Sequence, residues 1–401
     1  MNIKHISAYN YNLPKELIAQ NLKKPADTCK LLYCKISKDW IKIKNLIFKD
    51  ILNLLNSNDI LFFNNSKVVK ARIIWGLETK FYFLDKNETK ECKNCEILFL
   101  KKINYSNKFT DFEALVRPGK KFKKWRKIKI INNKNTYNFE IIWNTKTWRI
   151  IRFFWWDDIY NILEKIWKMP LPPYIEYNLN KEQDYQPVSA KKSWSVAAPT
   201  ASLHFTSWLL KNLNNKWIEF LESTLHIWIW TFKTVDVDNI DEYNIHSEIV
   251  EIPVDIFDKI NYLKNKSKNI VSVWTTATRI LESLPYIYNI LKNKKLISWN
   301  KFFDNLTKNI LLKESLNFIE NNRNIENNLL IFNTKLYIYP SFKYKIVDKL
   351  ITNFHLPKSS LLMLVAAFMG YNNMIYAYNY AIENKYKFFS FWDAMFIELK
   401  K

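Results

Sequence analysis

The spacing of apolar and polar residues changes twice along the chain. In the first stretch, a helical pattern led by Pro14 begins within residues 13–32, and residues 43–65 are predicted to form a helix, a turn at 56–59 and a buried strand. From residue 68 to residue 151 the pattern becomes one of short alternating segments, such as EILFLKKI, FEALVRP and RKIKII, separated by polar turns. A series of short strands like this predicts an antiparallel β-barrel or sandwich.

After the proline-rich segment MPLPPYI at 169–175, helical and strand patterns alternate to the end of the chain. The predicted helices cover residues 205–214, 254–264 and 276–284, and the predicted strands cover residues 218–226 and 269–273. Alternation of this kind is typical of α/β folds.

We therefore predict an α/β main domain with an inserted antiparallel β-barrel domain. The α/β domain comprises residues 1–67 and 152–401, and the barrel comprises residues 68–151. Residues 285–330, rich in Asn and Lys, are expected to form a variable insert within the α/β domain, as a helical excursion or a mobile loop without a visible chemical motif.

The chain has neither an apolar run of about 18 residues, which a membrane span requires, nor a secretion signal at its N-terminus. Its 4 cysteines are too few for a disulfide scaffold. These features predict a soluble, cytoplasmic protein.

Glycine is almost absent. The chain has 3 glycines beside 16 tryptophans, whereas about 28 glycines are expected at the usual frequency of about 7%. Every fold needs some residues at positive φ, which glycine adopts most easily. Tryptophan stands where such a residue is expected: Trp217 follows a helical stretch at the C′ position, Trp194 lies in a polar loop, and Trp125 interrupts a basic run where a hairpin should turn.

We hypothesise that many of these tryptophans are UGA codons that the source organism reads as glycine. Only 7 of the 61 basic residues are arginine, and Asn, Ile, Tyr and Phe are abundant, as an AT-rich genome would produce. The alternative is a protein that is truly rich in tryptophan. The codons at positions 194, 228 and 274 distinguish the two.

The formal net charge of +23 favours a polyanionic partner such as nucleic acid. An AT-rich genome also raises the lysine content through AAA codons, so the charge alone does not establish such a partner. Basic residues cluster at 120–129 and 292–295, where a solvated face or loop is the alternative.

Familiar catalytic and metal-binding motifs are missing from the sequence, which has no Walker loop, H-E-x-x-H or G-x-S-x-G. Cys92 and Cys95 form a C-x-x-C, but Cys29 and Cys34 have a different spacing and lie on another element. Because a zinc site needs four ligands within tetrahedral reach, we predict no metal. Cys92 and Cys95 are expected to be solvent-facing hairpin residues.

Histidine is more informative. His204, His226, His246 and His355 lie at predicted strand ends or in loops beside Thr, Ser, Asn and Glu. This placement predicts one converging site, although a packed or surface histidine is the ordinary alternative.

Glycine in place of tryptophan would change two segments, one of which contains His226. With glycine at Trp228, Trp230 and Trp274, TLHIWIWTF and VSVWTTATR become strand-to-helix turns. Backbone N–H groups at such turns can approach an anionic or adenosine ligand at the carboxyl edge of a sheet.

Taken together, these motifs resemble one family. AAPTASLHF, TLHIWIWTFKTV, HSE, TTATRILES, TNFHLPKSSLLMLVAAF and FWDAMFI occur in the order typical of the S-adenosylmethionine:tRNA ribosyltransferase-isomerase family of queuosine biosynthesis, and the similarity runs from LPKELIAQ to the C-terminus. In that family, glycine stands at the positions of Trp167, Trp194, Trp228, Trp230, Trp274 and Trp392.

Three features depart from the family. Ser202 and Ser341 replace glycines, and the insert at 285–330 is longer than usual. The substitution at Ser202 puts the local turn geometry in question, whereas the insert is expected to leave the site untouched.

The resemblance implies an enzyme that acts on tRNA bearing 7-aminomethyl-7-deazaguanine at the wobble position. The ribosyl group of S-adenosylmethionine is transferred and isomerised to the epoxycyclopentanediol of epoxyqueuosine, with release of adenine and methionine. S-adenosylmethionine is a cosubstrate, and no metal or redox cofactor is implied. We expect the enzyme to act as a monomer.

Such a reaction needs a base beside the sulfonium carbon and a proton donor for adenine, roles that suit histidine. The predicted catalytic residues are His204, His226, His246 and Glu248, the last two as a hydrogen-bonded pair. The predicted substrate-binding residues are Ala198, Pro199, Thr200, Thr231, Thr275, Thr276, Arg279, Asn353, His355 and Asp393.

Two of these residues have a specific expectation. Arg279 is expected to clamp a carboxylate, and Asp393 to receive the methionine ammonium or a ribose hydroxyl. The structural alternatives are helix N-caps at Thr275 and Asp393 and a surface strand position for Glu248.

The tRNA must lie on a basic surface that positions its phosphates while the modified base enters the pocket. The residues predicted to form this surface are Lys67, Lys70, Arg72, Lys120, Lys121, Lys123, Lys124 and Arg126.

Other functions stay open at this point. One is a non-catalytic RNA-binding protein in which the histidines merely pack, and another is an S-adenosylmethionine-dependent tRNA methyltransferase, although no doubly wound N-terminal cofactor unit is visible. Release of adenine separates the predicted enzyme from the first, and release of S-adenosylhomocysteine identifies the second. A third possibility is that the printed tryptophans are real and the enzyme is inactive.

Overall fold

The computed structural model of the chain describes residues 2–38, 40–68, 71–76, 78–85, 88–105, 108–133, 135–145, 148–154, 186, 188, 192–195, 200–227, 234–297, 300–326, 328–389 and 393–400. The chain divides into two compact units, Met1–Lys67 with Pro172–Lys401 and Val68–Leu171. The predicted domain boundaries, with a barrel that ends at residue 151, stay a prediction.

The strands, numbered in chain order, are β1 (Lys30–Ile36), β2 (Ile41–Ile47), β3 (Asp59–Asn64), β4 (Ser66–Val68), β5 (Arg72–Ile74), β6 (Thr79–Asp85), β7 (Glu88–Glu91), β8 (Glu96–Tyr105), β9 (Thr110–Arg117), β10 (Lys127–Asn132), β11 (Asn135–Asn144), β12 (Arg149–Phe153), β13 (Lys192–Ser195), β14 (Glu219–Leu225), β15 (Glu248–Pro253), β16 (Asn269–Val273), β17 (Ile319–Glu326), β18 (Leu329–Thr334), β19 (Lys349–Asn353) and β20 (Ala394–Leu399).

The α-helices are α1 (Ile51–Leu54), α2 (Ser207–Asn215), α3 (Ile256–Asn265), α4 (Thr275–Asn293), α5 (Lys301–Thr307), α6 (Leu312–Phe318), α7 (Ser360–Met369) and α8 (Tyr371–Glu383). Short 3₁₀ turns lie between several of these elements, including Thr200–His204.

The larger unit is built on a 10-stranded mixed sheet with the order β17-β18-β15-β14-β3-β16-β19-β20-β1-β2. Four strands at its centre, β14, β3, β16 and β19, run parallel to one another. The apolar run DILFFN makes β3 buried along its whole length, as expected for a parallel strand that is covered on both faces. Helix α4 is buried from Thr275 to Leu291, and a mixed α/β class is therefore confirmed.

The smaller unit contains an 8-stranded antiparallel sheet with the order β5-β8-β9-β12-β11-β10-β6-β7. Buried and half-buried residues alternate along β6 and β12, which puts one face of the sheet into an apolar core. Register shifts in β8, at Phe99–Lys101 and Lys102–Asn104, and in β11 bend the sheet. The prediction of an antiparallel β module is confirmed at this level.

The N-terminal stretch differs from the prediction. Among residues 13–32 the structure describes 3₁₀ turns at Lys15–Leu17 and Ala26–Thr28 where we expected a helix. Residues 43–47, also expected to be helical, belong to strand β2, whose sequence IKIKNLI alternates with period two and pairs with β1. The turn and the buried strand that follow are confirmed.

The second half of the chain follows the prediction more closely. Strand β16 has the predicted bounds, but α4 continues past residue 284 because Pro285 is accommodated within the helix. Residues 285–330 are not a mere helical excursion or loop: besides α5 and α6 they form β17, which pairs with β18 and extends the large sheet.

Among the described residues, no single helix is both long and apolar enough to cross a membrane. Helices α7 and α8 satisfy the length and composition criteria only when they are counted together, and they are bent by 114° at their junction.

Candidate active site

One edge of the large sheet gathers most of the predicted site residues. The parallel strands β3, β14, β16 and β19 end there, and the pairing of Leu225 with Val250 and of Asn353 with Ala394 places the starts of β15 and β20 at the same edge. We call this the carboxyl edge, and its residues include Cys29, Asn64, His226, Glu248, Trp274, Thr275, Asn353 and Asp393. Ligands of open α/β sheets bind outside the carboxyl ends of the strands.

His204 is fully buried in this edge and both of its ring nitrogens are engaged. Nδ1 lies 3.4 Å from Sγ of Cys29, and Nε2 lies 2.9 Å from Nδ2 of Asn353. Oδ1 of Asn353 accepts a hydrogen bond from the Thr200 hydroxyl at 2.9 Å. Because the Asn353 amide is oriented in this way, its NH₂ group donates to Nε2, and the ring proton of a neutral His204 is on Nδ1.

Burial lowers the pKa of His204 to about 3, and a backbone contact with Ala26 opposes this shift only in part. Burial also lowers the pKa of His355 to about 3. His355 interacts through Nε2 with the Thr352 hydroxyl at 2.9 Å. Both imidazoles are therefore neutral at physiological pH.

Asp393 lies directly before β20 and is almost fully buried. Its carboxylate accepts hydrogen bonds from the backbone N–H groups of Lys30 and Lys387, both at 2.7 Å. Burial raises its pKa, and these two hydrogen bonds oppose the shift. The carboxylate thus joins three chain segments rather than capping a helix.

A second buried group surrounds Arg279 on α4. Its Nη1 forms an ion pair with Glu248, which is 1% exposed. Nη2 donates to the backbone oxygens of His246 and Thr334 at 3.0 and 3.2 Å, and Nε donates to the backbone oxygen of Leu336 at 3.0 Å. Glu248 is therefore not a surface residue, and the Arg279 guanidinium holds the starts of β15 and α4 together.

The predicted pair of His246 and Glu248 is present, with Nε2 of His246 3.2 Å from Oε1 of Glu248. The predicted role of Arg279 as a carboxylate clamp stays a prediction. In this structure its guanidinium is bonded to Glu248 and to three carbonyl groups.

A small cavity of about 30 Å³ lies against this group and is lined by His246, Glu248, Thr275, Thr276 and Arg279 among others. Oγ1 of Thr275 is buried and has no hydrogen-bond partner among the described residues. Thr275 begins α4 and does not cap it, since the cap position is Trp274. A buried polar atom without a partner is rare and is often satisfied by a ligand.

His226 follows β14 and its side chain is 11% exposed. Its Nε2 lies 2.9 Å from Oε1 of Glu251. Glu251 and Glu248 are three residues apart on β15, so they project to opposite faces of the sheet. The four histidines belong to different hydrogen-bonded groups, and their convergence in one site stays a prediction.

The backbone of Trp274 has φ 82° and ψ 163°, a region that is essentially restricted to glycine. Its indole is 1% exposed, and the buried Nε1 lacks a hydrogen-bond partner within the described part of the chain. Trp217 and Trp125 also have positive φ, 61° and 63°. Ser341, where the family has glycine, has φ 96°, whereas Ser202 lies in a regular 3₁₀ turn.

Residues 6–397 match a family model described as "Queuosine biosynthesis protein". The chain belongs to this family.

Named relatives agree with this assignment. The chain is 37% identical over 393 residues to the S-adenosylmethionine:tRNA ribosyltransferase-isomerase of Fusobacterium nucleatum, covering 98% of this chain and 97% of the relative. Proteins of the same name from Halothermothrix orenii and Thermosipho melanesiensis are 34% and 37% identical, and each match covers 98% of this chain and 99% of the relative.

A crystal structure described as an S-adenosylmethionine tRNA ribosyltransferase from Thermotoga maritima is 28% identical. The match covers 98% of this chain and 100% of that one, with a TM-score of 0.48.

Several residues predicted from the queuosine family's motifs lie outside the described residues. They are Ala198, Pro199, Thr231, Lys70, Trp167, Trp228, Trp230 and Trp392. Of Trp194 only the backbone is described, as part of β13.

Some of the predicted tRNA-binding residues are exposed, and others are paired with acidic side chains. Lys67 is exposed on β4, and Lys120, Lys121, Lys123 and Lys124 are exposed near the start of β10. Arg126 is bound by Asp85 through two hydrogen bonds of 3.1 and 2.9 Å, and Nε of Arg72 lies 2.7 Å from Oε1 of Glu96. Lys124 lies over the ring of Trp143, with Nζ 4.1 Å from the ring centroid.

The expectation for the C-x-x-C pair was wrong in one respect. Cys92 and Cys95 are buried, not solvent-facing, and their sulfurs are joined in a disulfide. Across the described ranges, no group of three or more His, Cys, Asp or Glu residues has a geometry that could hold a metal ion.

Sequence reasoning missed several residues of the carboxyl edge. The Asn64 side chain donates to the backbone oxygen of Leu225 at 3.1 Å and to the Thr276 hydroxyl at 3.2 Å, so it links β3, β14 and α4. The available signal was an Asn at the end of a buried strand, in FFNN. Cys29 and Glu251 had no sequence signal, because their partners lie 175 and 25 residues away.

Proposed function

We propose that this chain transfers and isomerises the ribosyl moiety of S-adenosylmethionine onto 7-aminomethyl-7-deazaguanine in tRNA. The products are epoxyqueuosine-tRNA, adenine and methionine. The observation that carries this proposal is the match to S-adenosylmethionine:tRNA ribosyltransferase-isomerases over 98% of the chain. The family, the enzyme class and the activity predicted from the sequence are confirmed by the same relatives.

We assign the base to His226. Its Nε2 interacts with Glu251 at 2.9 Å, and a carboxylate in this position holds an imidazole in one tautomer and stabilises its protonated form. With Nε2–H donated to Glu251, we assign proton transfer to Nδ1. His226 is partly exposed at the carboxyl edge, which gives a substrate access to it.

His204 is assigned a positioning role instead. A ring whose pKa is lowered to about 3 by burial, and whose two nitrogens face Cys29 and Asn353, is poorly suited to exchange protons with a substrate at neutral pH. It supports Asn353, which in turn holds Thr200 at the entrance of the 3₁₀ turn.

The group of His246, Glu248 and Arg279 is assigned to substrate binding together with Thr275 and Thr276. These residues line one cavity, and the unpartnered Thr275 hydroxyl is a donor or acceptor for a sugar hydroxyl. A cavity of about 30 Å³ holds little more than one water molecule, so a nucleoside needs more space than this cavity offers.

The lack of space agrees with the proposal that several tryptophans are glycine in the native protein. Trp274 adopts a backbone conformation that is essentially restricted to glycine, and its buried indole stands directly before Thr275. Glycine at this position would remove the strain and the buried indole, and would allow a cosubstrate to approach the backbone at the start of α4 more closely. The coding DNA, or the mass of a tryptic peptide from native material, tests this proposal.

We further propose that residues 68–151 form an inserted β-barrel domain and that tRNA phosphates contact its basic run. The eight antiparallel strands and the exposed Lys120, Lys121, Lys123 and Lys124 support this. The enzyme is proposed to act in the cytoplasm as a monomer, with S-adenosylmethionine as cosubstrate and without a metal or redox cofactor.

The experiment is an assay of S-adenosylmethionine turnover on tRNA that carries 7-aminomethyl-7-deazaguanine. The enzyme is prepared with glycine at positions 167, 194, 228, 230, 274 and 392, and also with the printed tryptophans. Release of adenine that depends on this tRNA supports the proposal. Release of S-adenosylhomocysteine would identify a methyltransferase, and RNA binding without turnover by either form would identify a non-catalytic binding protein.

A further inference from the structure

A second, larger cavity lies beside the candidate active site. Its volume is about 430 Å³, and it shares Ile245 and Tyr337 with the cavity that contains Thr275. This volume falls in the range of pockets that bind small ligands. Because the two cavities have wall residues in common, an occupant of the larger one would sit next to a substrate at the carboxyl edge.

Aromatic rings form much of the wall of this second cavity. Tyr337 and Tyr339 are stacked with ring centroids 4.7 Å apart and an angle of 26° between planes. Tyr286 and Phe318 meet edge to face at 4.9 Å on another side, and Phe342 also lines the cavity. Tyr337 is buried, whereas Tyr339 is only partly buried, so the stack ends in a ring that solvent and ligands can reach.

The charge of the lining favours an anion. Lys335, Lys343 and Lys345 line the cavity, against the two acids Asp241 and Glu314. The three lysines outnumber the two acids, and Asp241 is itself paired with Lys4 at 2.7 Å. Nζ of Lys345 lies 5.0 Å from the ring centroid of Tyr286 and 4.9 Å from that of Phe342, so one cation of the lining lies against two of its aromatic rings.

We infer that this cavity binds one unpaired nucleotide of the tRNA, a neighbour of the modified base, by stacking of the base on Tyr339 and contact of its phosphate with Lys343. The inference rests on the proposed function, which requires a modified base that leaves its own stack to reach the carboxyl edge. Aromatic rings beside basic side chains are the usual means of holding unstacked nucleotides.

This inference changes the role of the variable insert. Tyr286, Glu314 and Phe318 belong to residues 285–330 and contribute to the wall. We had expected the insert to leave the site untouched, but it completes a cavity that adjoins the candidate active site.

The test measures the affinity of three variants for an anticodon stem-loop RNA that carries the modified base. Tyr339→Ala removes the stacking ring, Tyr339→Phe keeps it, and Tyr262→Ala removes an aromatic residue that is 62% exposed on α3. We expect Tyr339→Ala to weaken binding about 10-fold or more, since stacking contributes this much per base, and the other two variants to bind within about 2-fold of the unchanged enzyme.

A second RNA, abasic at the nucleotides that flank the modified base, shows whether the lost contact is with a base. Tyr339→Ala should weaken binding of this RNA by less than about 2-fold. The inference is overturned if Tyr339→Ala binds the intact stem-loop like the unchanged enzyme, or if it loses the same factor on both RNAs. In either case adenine release by the unchanged enzyme would leave the proposed function standing, whereas an unchanged enzyme that neither bound the RNA nor released adenine would overturn both.

Discussion

The side-chain amide of Asn353 donates a hydrogen bond to Nε2 of His204 over 2.9 Å, within the buried carboxyl edge of the sheet. The amide orientation is fixed by the Thr200 hydroxyl on its oxygen, so the lone pair of Nε2 is already used inside the protein. The prediction that His204 transfers protons stays untested, and this contact supports the positioning role proposed for His204 beside Asn353 and Thr200.

The buried histidines predict how stability depends on pH. Burial lowers the pKa of His204 and of His355 to about 3, whereas an unfolded histidine titrates near about 6.5. Between these values the unfolded chain binds more protons than the native one. The contribution of the two neutral histidines to the free energy of unfolding is therefore complete above about pH 6.5 and is lost as the pH is lowered toward about 3. Each histidine contributes about 1.4 kcal/mol per pH unit to this slope.

Urea unfolding at pH 4 to 6 measures this slope for His204→Gln and for His5→Gln, the latter an exposed residue that serves as control. The first variant should have a slope lower by about 1.4 kcal/mol per pH unit, and the second should keep the full slope. Equal slopes in the unchanged protein and in His204→Gln would show that His204 is not held neutral in the native state.

The assignment of the base predicts a specific loss of turnover. His226→Ala should lower the single-turnover rate constant about 100-fold or more, the contribution expected of a general base. Glu251→Gln should cause a smaller loss, because the imidazole stays in place but loses its carboxylate partner. The measurement is single-turnover ribosyl transfer at saturating S-adenosylmethionine, with His5→Ala as control. Full activity of His226→Ala would remove this residue from the mechanism.

The hypothesis about glycine predicts opposite effects of two similar substitutions. Trp217 follows α2 with φ 61° and is 83% exposed, so Trp217→Gly should raise the free energy of unfolding by about 1 kcal/mol by relieving a left-handed conformation. Trp208 is 55% exposed within α2, and Trp208→Gly should lower it by about 1 kcal/mol. Urea unfolding measures both. A loss of stability in Trp217→Gly would contradict the hypothesis at this position.

The basic run on the smaller unit predicts a salt effect on tRNA binding. Each phosphate contact contributes about 0.7 to 0.9 to the slope of log K against log salt concentration. The double variant Lys120→Ala/Lys123→Ala should therefore lower the slope by about 1.5. Lys259 is paired with Asp255 at 2.6 Å on α3, and Lys259→Ala should leave the slope unchanged. Equal slopes for the double variant and this control would place the tRNA elsewhere.

The sequence was informative where a local pattern determines the structure. Strand β16 has the predicted bounds, and Trp217 has the left-handed backbone expected at a C′ position. Local patterns failed where packing compensates for a poor local choice: Pro285 should end a helix, yet α4 continues to Asn293 because the helix is buried along nearly all of its length.

The site was less predictable than the fold. His246 was identified with the other histidines from its position in the sequence, and Glu248, Thr275 and Arg279 were identified after the resemblance. All four line one cavity. Their contacts could not be predicted, because Glu248 meets Arg279 only when β15 and α4 pack together, 31 residues apart in sequence. The same holds for His204, whose partners Cys29 and Asn353 come from opposite ends of the chain.

The most direct test of the proposed function is the mass of the modified nucleoside after the reaction. tRNA bearing 7-aminomethyl-7-deazaguanine is incubated with S-adenosylmethionine and the enzyme that carries glycine at the six family positions, and its nucleosides are then analysed by mass spectrometry. The proposal predicts that the 7-aminomethyl-7-deazaguanosine signal is replaced by that of epoxyqueuosine. A nucleoside heavier by one methyl group would contradict the proposal. A nucleoside of unchanged mass, in a reaction that also releases no adenine, would contradict it as well.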